Sequence, residues 1–268
     1  MTRKLFLLIL MCGCLTTAFA GKKVLYFTHE PGRWHKYTPQ LAEFKAIAKE
    51  AGWEFTASTG SYDEQIKKLR ETDFAKKYDA VIYNFCFAAS KDLVACANLI
   101  KQTEVNGVPC MLIHCSMHSW WGTYKNGKEA VGVGKGKADP KLLADWKKNH
   151  PNEKFPVWGD FTGVASTRHG PKKPVKAEPI KKDHPALKNF KGYTTSANTE
   201  LYNNAYITDD VIPLVKGIQG KAEAVIMWEA PRGKSKIIGF TLGHSTDDLK
   251  DEGFKTLVID GLNYLMKK

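Results

Sequence analysis

Short apolar runs alternate with amphipathic stretches over the first half of the chain. The runs at 23–28 (KVLYFT), 79–84 (DAVIYN) and 109–113 (PCMLI) have the length of strands that are buried on both faces. Between them, apolar residues recur every three or four positions, which is typical of helices that pack on one side. We expect Thr38 and Ser90 to cap two of these helices. Strands that alternate with helices predict an α/β fold with a doubly wound, mostly parallel sheet flanked by helices.

The pattern changes after Gly122. Residues 122–174 are rich in glycine, lysine and proline and contain one helical stretch near 140–148, which predicts a long inserted loop region. A loop of this length inside a compact domain is usually functional. Strands are predicted again at 176–180, 212–215, 224–228 and 236–241. Only turns separate the last three, so an antiparallel extension of the sheet is expected. A final amphipathic helix ends the chain.

The first twenty residues have the pattern of a secretory signal. Two basic residues precede an apolar run, and AFA before Gly21 matches a cleavage site. The apolar run is shorter than a bilayer requires, so no membrane anchor is expected. A lipoprotein attached through Cys14 is the alternative. The sequence therefore predicts a cleaved signal peptide at 1–20, a single domain at 21–268, and a periplasmic or secreted location.

The net charge of +12 raises the question of a polyanionic partner. The lysines are spread along the chain in pairs such as Lys67-Lys68 and Lys147-Lys148, and no zinc-finger spacing, basic-helix pattern or RNA-binding motif accompanies them. The run GVGKGK at 132–137 lacks both the Walker spacing and a preceding strand. We therefore expect a solvated basic surface and no nucleic-acid partner.

Four cysteines follow the predicted signal, namely Cys86, Cys96, Cys110 and Cys115. In an oxidising compartment they suggest disulfides, with three connectivities to choose from. Cys86 and Cys115 each follow a predicted strand, so they would be neighbours if those strands pair. Metal-type CxxC spacing is absent. Bridged and free thiols both remain open.

Histidines follow several predicted strands. His114 comes directly after the run that ends at Ile113, His35 lies in the loop after the first strand, and His244 follows the last strand. In open parallel sheets, ligands bind beyond the carboxyl ends of the strands. We therefore expect these three histidines to converge on one site. An antiparallel final strand would instead send His244 to the opposite edge.

A set of ordered motifs supports a family resemblance. They are VLYFTHEPGRWHKY, YDAVIYN, MLIHCSMHSWW, STRHGPKKP, DHPALKNF, NTELYN and GFTLGHS. In this order they resemble the ThuA-like family, named for trehalose utilisation, over roughly Lys23–Lys268. The resemblance implies a fold like that of class I glutamine amidotransferases and a role in carbohydrate metabolism.

The resemblance also implies the site residues. The expected catalytic residues are His35, His114, His169, Glu200 and His244. Histidine and glutamate can move protons, and histidines also bind divalent metals. A divalent metal is therefore the candidate cofactor, with the four histidines as candidate ligands. Aromatic faces can stack on sugars, although packing within the domain is an equal alternative for them. The expected substrate-binding residues are Trp34, Trp120, Trp121, Arg168 and Tyr202.

Three positions limit the mechanism. The amidotransferase fold places a nucleophilic cysteine between glycines on a sharp turn, but here His114 occupies that position without glycine neighbours. Glutamine amidotransferase activity is therefore not expected, and Cys115 is left as a candidate nucleophile for another reaction. Thr199 stands where many relatives of that family have an acidic residue, and His118 stands where an acidic or small polar residue is frequent. A mechanism that needs a second carboxylate at these positions is therefore not favoured.

The favoured hypothesis is an exported enzyme that acts on a small carbohydrate by histidine/glutamate acid–base or metal-assisted chemistry. Titratable groups concentrated at strand ends favour an enzyme over a binding module. One alternative is a non-catalytic sugar-binding domain, which would bind its ligand without turnover. Another is a structural protein that binds a partner through its basic surface. The sequence leaves the oligomeric state open.

Overall fold

The structure is a computed structural model that describes residues 21–88, 90–120, 125–126, 129–130 and 140–267. The predicted signal peptide, the candidate Trp121 and the GVGKGK run lie outside the described residues. Over the ranges that are described, no helix combines the length and the apolar character needed to cross a bilayer.

Helices and strands alternate through the first half of the chain, and strands dominate the second. The helices are α1 (Tyr37–Glu50), α2 (Tyr62–Leu69), α3 (Leu93–Glu104), α4 (Pro140–Asn149), α5 (Trp158–Thr162), α6 (Thr246–Lys250) and α7 (Glu252–Leu265). The strands are β1 (Lys23–Phe27), β2 (Glu54–Ser58), β3 (Ala80–Tyr83), β4 (Cys110–Ile113), β5 (Lys125–Asn126), β6 (Glu129–Ala130), β7 (Val164–Ala165), β8 (Lys176–Pro179), β9 (Tyr193–Thr194), β10 (Tyr206–Ile207), β11 (Ile212–Gln219), β12 (Ala222–Arg232) and β13 (Ser235–Phe240).

One nine-stranded sheet organises the molecule, in the order β2-β1-β3-β4-β13-β12-β11-β8-β9. The strands from β2 to β13 in this order are parallel to one another. From β13 onward, each neighbouring pair is antiparallel. The predicted α/β class, the parallel strands β1, β3 and β4, and the antiparallel extension are all confirmed. Strand β13 joins the two halves, because it is antiparallel to β12 and parallel to β4.

Both faces of the parallel half are covered, which explains the continuous apolar runs. In β1, Val24 and Tyr26 enter one core cluster, whereas Leu25 and Phe27 enter the other. Helices α1 and α7 pack on the first face, and α2 and α3 pack on the second. Each large apolar side chain buried in this way contributes about 1.5–3 kcal/mol. Because both faces are filled, the carboxyl edge of the strands is the exposed place where a ligand could bind.

The two predicted helix caps are wrong. Helix α1 begins at Tyr37 without a side-chain cap, and the Glu30 carboxylate from the preceding loop accepts the Thr38 N–H instead. Helix α3 is capped by Asp92, whose carboxylate accepts the Ala95 N–H at 3.0 Å. Ser90 accepts the Asp92 N–H at 3.2 Å. In both cases a nearby carboxylate occupies the position that the sequence pattern assigned to a hydroxyl.

The described part of the insertion is more ordered than a loop. It contains α4, α5 and β7, and β7 pairs with β10. The Trp228 indole of β12 donates to the Thr162 carbonyl at 2.7 Å, and the Arg232 guanidinium donates to the Phe161 carbonyl at 2.7 Å. These contacts fix the end of α5 on the sheet. Further along the insertion, His169 forms an isolated antiparallel β-bridge with Tyr202.

Candidate functional site

Three histidines meet at the carboxyl edge of the sheet. His114 follows β4 and His244 follows β13, and these neighbouring strands are parallel. His35 reaches the same place from the loop between β1 and α1. One ligand nitrogen from each of the three lies within 4.8 Å of the others. The predicted convergence is confirmed, because the antiparallel strands begin only beyond β13.

His114 is held in a defined tautomer. It is the first residue after β4 and has φ +44°, a conformation that is uncommon for a residue other than glycine. Its Nδ1 lies 2.7 Å from the Thr241 carbonyl oxygen, which can only accept, so Nδ1 donates and Nε2 keeps its lone pair. Burial lowers the pKa of His114 well below its usual value, and His35 and His244 lower it further. The imidazole is therefore neutral at physiological pH.

His35 has the same arrangement. Its Nδ1 donates to the His244 carbonyl oxygen at 3.2 Å, which leaves Nε2 as an acceptor. Burial lowers the pKa of His35 to about 4, and the neighbouring His244 also lowers it. The His35 ring stands edge-on to the rings of His114 and His244, at centroid distances of 4.8 and 5.0 Å. Two neutral imidazoles thus face a third across a small space.

Glu200 supplies the carboxylate of the cluster. One oxygen, Oε2, lies 3.2 Å from His244 Nδ1 and 3.6 Å from His114 Nε2. The other, Oε1, lies 3.5 Å from His169 Nδ1. Although burial raises the pKa of Glu200, the hydrogen bond and the charge of His244 hold it below its ordinary value. The carboxylate is therefore ionised beside the three histidines.

A buried aspartate that the motif analysis missed connects the segments carrying Glu200 and His244. The Asp248 side chain is 0% exposed and accepts hydrogen bonds from the Thr199 hydroxyl and the Ser245 N–H, the latter at 3.1 Å. Thr199 precedes Glu200, and Ser245 follows His244. Thr199 therefore has a structural role beside Glu200. The capping-box pattern STDD at 245–248 was the available sequence signal.

Tyr202 and His118 form a second layer beside the cluster. The Tyr202 hydroxyl donates to His114 Nε2 at 3.1 Å, and burial raises the pKa of Tyr202 well above its usual value, so it stays protonated. The His118 ring stacks on Tyr202 with a centroid distance of 4.0 Å, and its Nε2 lies 2.9 Å from Ser166 Oγ. Burial lowers the pKa of His118 to about 3, and His169 also lowers it. His118 was not among the predicted site residues, although it lies in the 3-10 helix that begins at His114.

His35, His244 and Glu200 of the cluster line a pocket of about 640 Å³, whereas His114 is buried and is not among its lining residues. This volume is in the ordinary range for small-molecule sites. His118 and His169 also line it, together with Trp34, Cys86, Cys115, Arg168, Lys172 and Tyr202. Trp34 is 59% exposed at the rim, whereas His169 and Arg168 are exposed on the insertion side. Three of the predicted substrate-binding residues, Trp34, Arg168 and Tyr202, therefore reach the pocket.

Trp120 does not have the position predicted for it. Its side chain is 0% exposed, its ring packs 4.7 Å from that of Trp158, and its indole N–H donates to the Asp92 carbonyl at 3.0 Å. Trp158 is buried as well and donates to the Ser116 carbonyl at 2.9 Å. These tryptophans hold the turn after β4 from below. The prediction that Trp120 binds substrate is wrong, since no face of its ring is open to a sugar.

Cys86 and Cys115 are neighbours in the pocket wall, as pairing of β3 with β4 required. Their Sγ atoms lie 2.7 Å apart. A hydrogen bond from Cys115 lowers the pKa of the Cys86 thiol, whereas burial raises that of Cys115 well above its usual value. Cys115 is therefore poorly suited to act as a nucleophile.

One pair of nitrogens in the cluster has the spacing that a tetrahedral cation requires, and all three lie within 4.8 Å of one another. Ligands placed ~2.05 Å from a tetrahedral zinc ion lie about 3.3 Å from one another. His114 Nε2 and His244 Nδ1 are 3.3 Å apart. His35 and His114 each donate their second ring nitrogen to a backbone carbonyl, as metal-bound histidines commonly do. His169 lies outside this set of three and contacts Glu200 instead.

The fold and the site together define an α/β domain with a histidine- and carboxylate-lined pocket at the carboxyl edge of a largely parallel sheet. The chain belongs to the ThuA family, described as trehalose utilisation, whose family model matches residues 23–265. The resemblance drawn from the motifs is thereby confirmed, and it connects the chain with sugar utilisation.

Solved structures of similar fold include two ThuA-like proteins. The protein from Bacteroides uniformis is 15% identical, with a TM-score of 0.62 and coverage of 92% of this chain and 93% of that one. The protein from Parabacteroides merdae is 13% identical, with a TM-score of 0.63 and coverage of 92% and 90%. A β-galactosidase from Rahnella is 10% identical, with a TM-score of 0.53, and the match covers 92% of this chain but 32% of the enzyme. At these identities the likeness shows the fold alone. Proteins of curated function gave no match.

Proposed function

We propose that this protein is an exported enzyme that acts on a sugar or sugar derivative at the pocket described above. Family membership supports a role in sugar utilisation. Export is proposed from the signal-like pattern at 1–20. The observation that carries the proposal of catalysis is the set of three histidine nitrogens within 4.8 Å of one another, directly beside an ionised glutamate.

We propose His35, His114 and His244 as ligands of a divalent cation. His35 and His114 are oriented before any ligand binds, because each donates its Nδ1 hydrogen to a backbone carbonyl. His244 instead contacts Glu200 through Nδ1, the nitrogen that faces His114. When bound there, a divalent cation would polarise a sugar oxygen as a Lewis acid. Glu200 is placed either to complete the coordination or to accept a proton from the substrate.

The residues around the cluster are suited to acid–base work. Glu200 contacts His114 and His244 through one carboxylate oxygen and lies 3.5 Å from His169 through the other, so it stands between the proposed cation site and an exposed imidazole. The Tyr202 hydroxyl lies 3.1 Å from His114 Nε2, the nitrogen that would bind the cation, so a bound cation would replace this hydrogen bond. Trp34 at the rim offers an exposed aromatic face on which a sugar ring could stack.

Cation binding is the first test. Protein stripped with a chelator is titrated with Zn²⁺, Mn²⁺ and Mg²⁺ by calorimetry, and metal content is checked by elemental analysis. We expect one cation per chain, with affinity lowered at least 10-fold in His114→Gln and in His244→Gln. His150→Gln, which changes a half-buried histidine directly after α4, is the matched control and should bind as the wild type does. Equal affinity in all four proteins would contradict the assignment of ligands.

Turnover is the second test and separates the enzyme from the sugar-binding alternative. A panel of disaccharides, including trehalose, and their oxidised derivatives is incubated with the metal-loaded protein and followed by NMR. We expect conversion of at least one compound, abolished in Glu200→Gln. A binding module would instead retain ligand affinity without product, and would tolerate His→Gln changes that preserve hydrogen bonds.

A further inference from the structure

The two thiols in the pocket wall carry an inference that is independent of the proposed reaction. Cys86 lies three residues after the end of β3, and Cys115 lies two residues after the end of β4. The two strands are adjacent and parallel, so both side chains leave the same edge of the sheet. Their Sγ atoms are 2.7 Å apart, about 0.7 Å more than the ~2.05 Å length of an S–S bond.

We infer that Cys86 and Cys115 form a disulfide when the protein is in an oxidising environment. Among the pairs that the four cysteines could form, this one joins sulfurs that are already in contact. Both cysteines line the pocket, so a small disulfide-bearing oxidant can reach them although each is largely buried. Cys96 and Cys110 lie in α3 and β4, are fully buried, and are not among the residues that line the pocket.

The oxidant is a disulfide, either glutathione disulfide or the disulfide of a thiol–disulfide oxidoreductase, and it accepts the two electrons that the protein thiols lose. One protein thiolate attacks the reagent and releases one reagent thiol, forming a mixed disulfide. The second protein thiolate then attacks the protein sulfur of that mixed disulfide and releases the other reagent thiol. Cys86 and Cys115 together lose two electrons and two protons, and the reagent is reduced to two thiols.

The bridge would join the two turns that follow β3 and β4. The second of these turns contains His114, whose positive φ requires the surrounding structure to hold it in place. Cys86 and Cys115 are separated by 29 positions, so the bridge closes a loop long enough to restrict the unfolded chain substantially. We expect the oxidised protein to melt about 5–15 °C above the reduced protein.

Peptide mapping tests the inference directly. The purified protein is equilibrated with graded ratios of reduced and oxidised glutathione, quenched with acid, alkylated under denaturing conditions and digested. In oxidised buffers we expect a cross-linked peptide pair containing Cys86 and Cys115, lighter by two hydrogen atoms than the two free peptides. Cys96 and Cys110 should be alkylated at every ratio.

Variants separate a specific bridge from general oxidation. Cys86→Ser should lose both the cross-linked species and the redox dependence of the melting temperature, whereas the matched control Cys96→Ala should keep both. Complete alkylation of Cys86 and Cys115 after oxidation, or a cross-link between another pair, would overturn the inference. If Cys86→Ser does not fold, the peptide map of the wild-type protein decides the question by itself.

Discussion

Burial of His118 predicts that the protein loses stability in mild acid. The His118 side chain is 5% exposed, stacks on Tyr202, and has a pKa lowered to about 3 by burial and by His169. In the unfolded chain a histidine has a pKa of about 6.5. Between these two values the unfolded state binds a proton that the folded state does not, so stability falls as pH falls below 6.5. Above that pH both states are neutral, and the contribution to stability is complete.

The size of this stability loss is set by the difference between the pH and the pKa of His118 in the unfolded chain. At about pH 5 the gap is about 1.5 units, and each unit corresponds to 1.36 kcal/mol. Because His118 is buried in its neutral form, the free energy of unfolding should be about 2 kcal/mol lower at pH 5 than at pH 7.5. His118→Gln removes the titrating group and should remove this part of the pH dependence.

Urea unfolding in the presence of a chelator, at pH 7.5 and pH 5, measures the effect. The quantity compared is the change in unfolding free energy between the two pH values, so any loss of packing in the variant cancels. Other buried histidines, including His35, titrate in both proteins, so the difference between the two pH-dependent changes is the quantity assigned to His118. His150→Gln is the control and should behave as the wild type does. The same pH-dependent loss in His118→Gln as in the wild type would refute the reasoning.

Three further predictions concern the support of the site, the sheet and the N-terminus. Asp248→Asn should lower the unfolding free energy by about 1–3 kcal/mol in urea, because the Thr199 hydroxyl loses a charged acceptor; an unchanged midpoint would contradict this role. Gly239→Ala should destabilise the protein by about 1–3 kcal/mol, since the added Cβ would overlap the Trp228 ring. Thermal melting that matches the wild type would show that the ring can move aside. Intact-mass measurement of the exported protein should give a chain that begins at Gly21, and a chain that begins at a lipidated Cys14 would contradict the proposed cleavage.

The local pattern of the chain was sufficient to predict the parallel half of the fold. A strand buried on both faces needs apolar residues at every position, and this is visible in the sequence of β1, β3 and β4 without knowledge of their partners. The rule that ligands bind beyond carboxyl ends then placed His114 correctly. The order of motifs added Glu200 and His169 through the family resemblance.

What the local pattern could not decide was how segments distant in sequence pack against one another. Trp120 and Trp34 look alike as loop tryptophans, yet Trp120 is enclosed by Trp158 and Trp34 is exposed. The orientation of β13 depended on pairing with β4, and this pairing put His244 beside His114.

The contacts that hold the site in place also join residues that are distant in sequence. The contact of Asp248 with Thr199 joins residues 49 positions apart, and the contact of Cys86 with Cys115 joins residues 29 positions apart. Side-chain contacts of this range depend on the complete fold, because no local periodicity encodes which turn will lie opposite another. The sequence by itself therefore determined the sheet and the chemical types at its edge, and the tertiary structure decided which of those residues share a site.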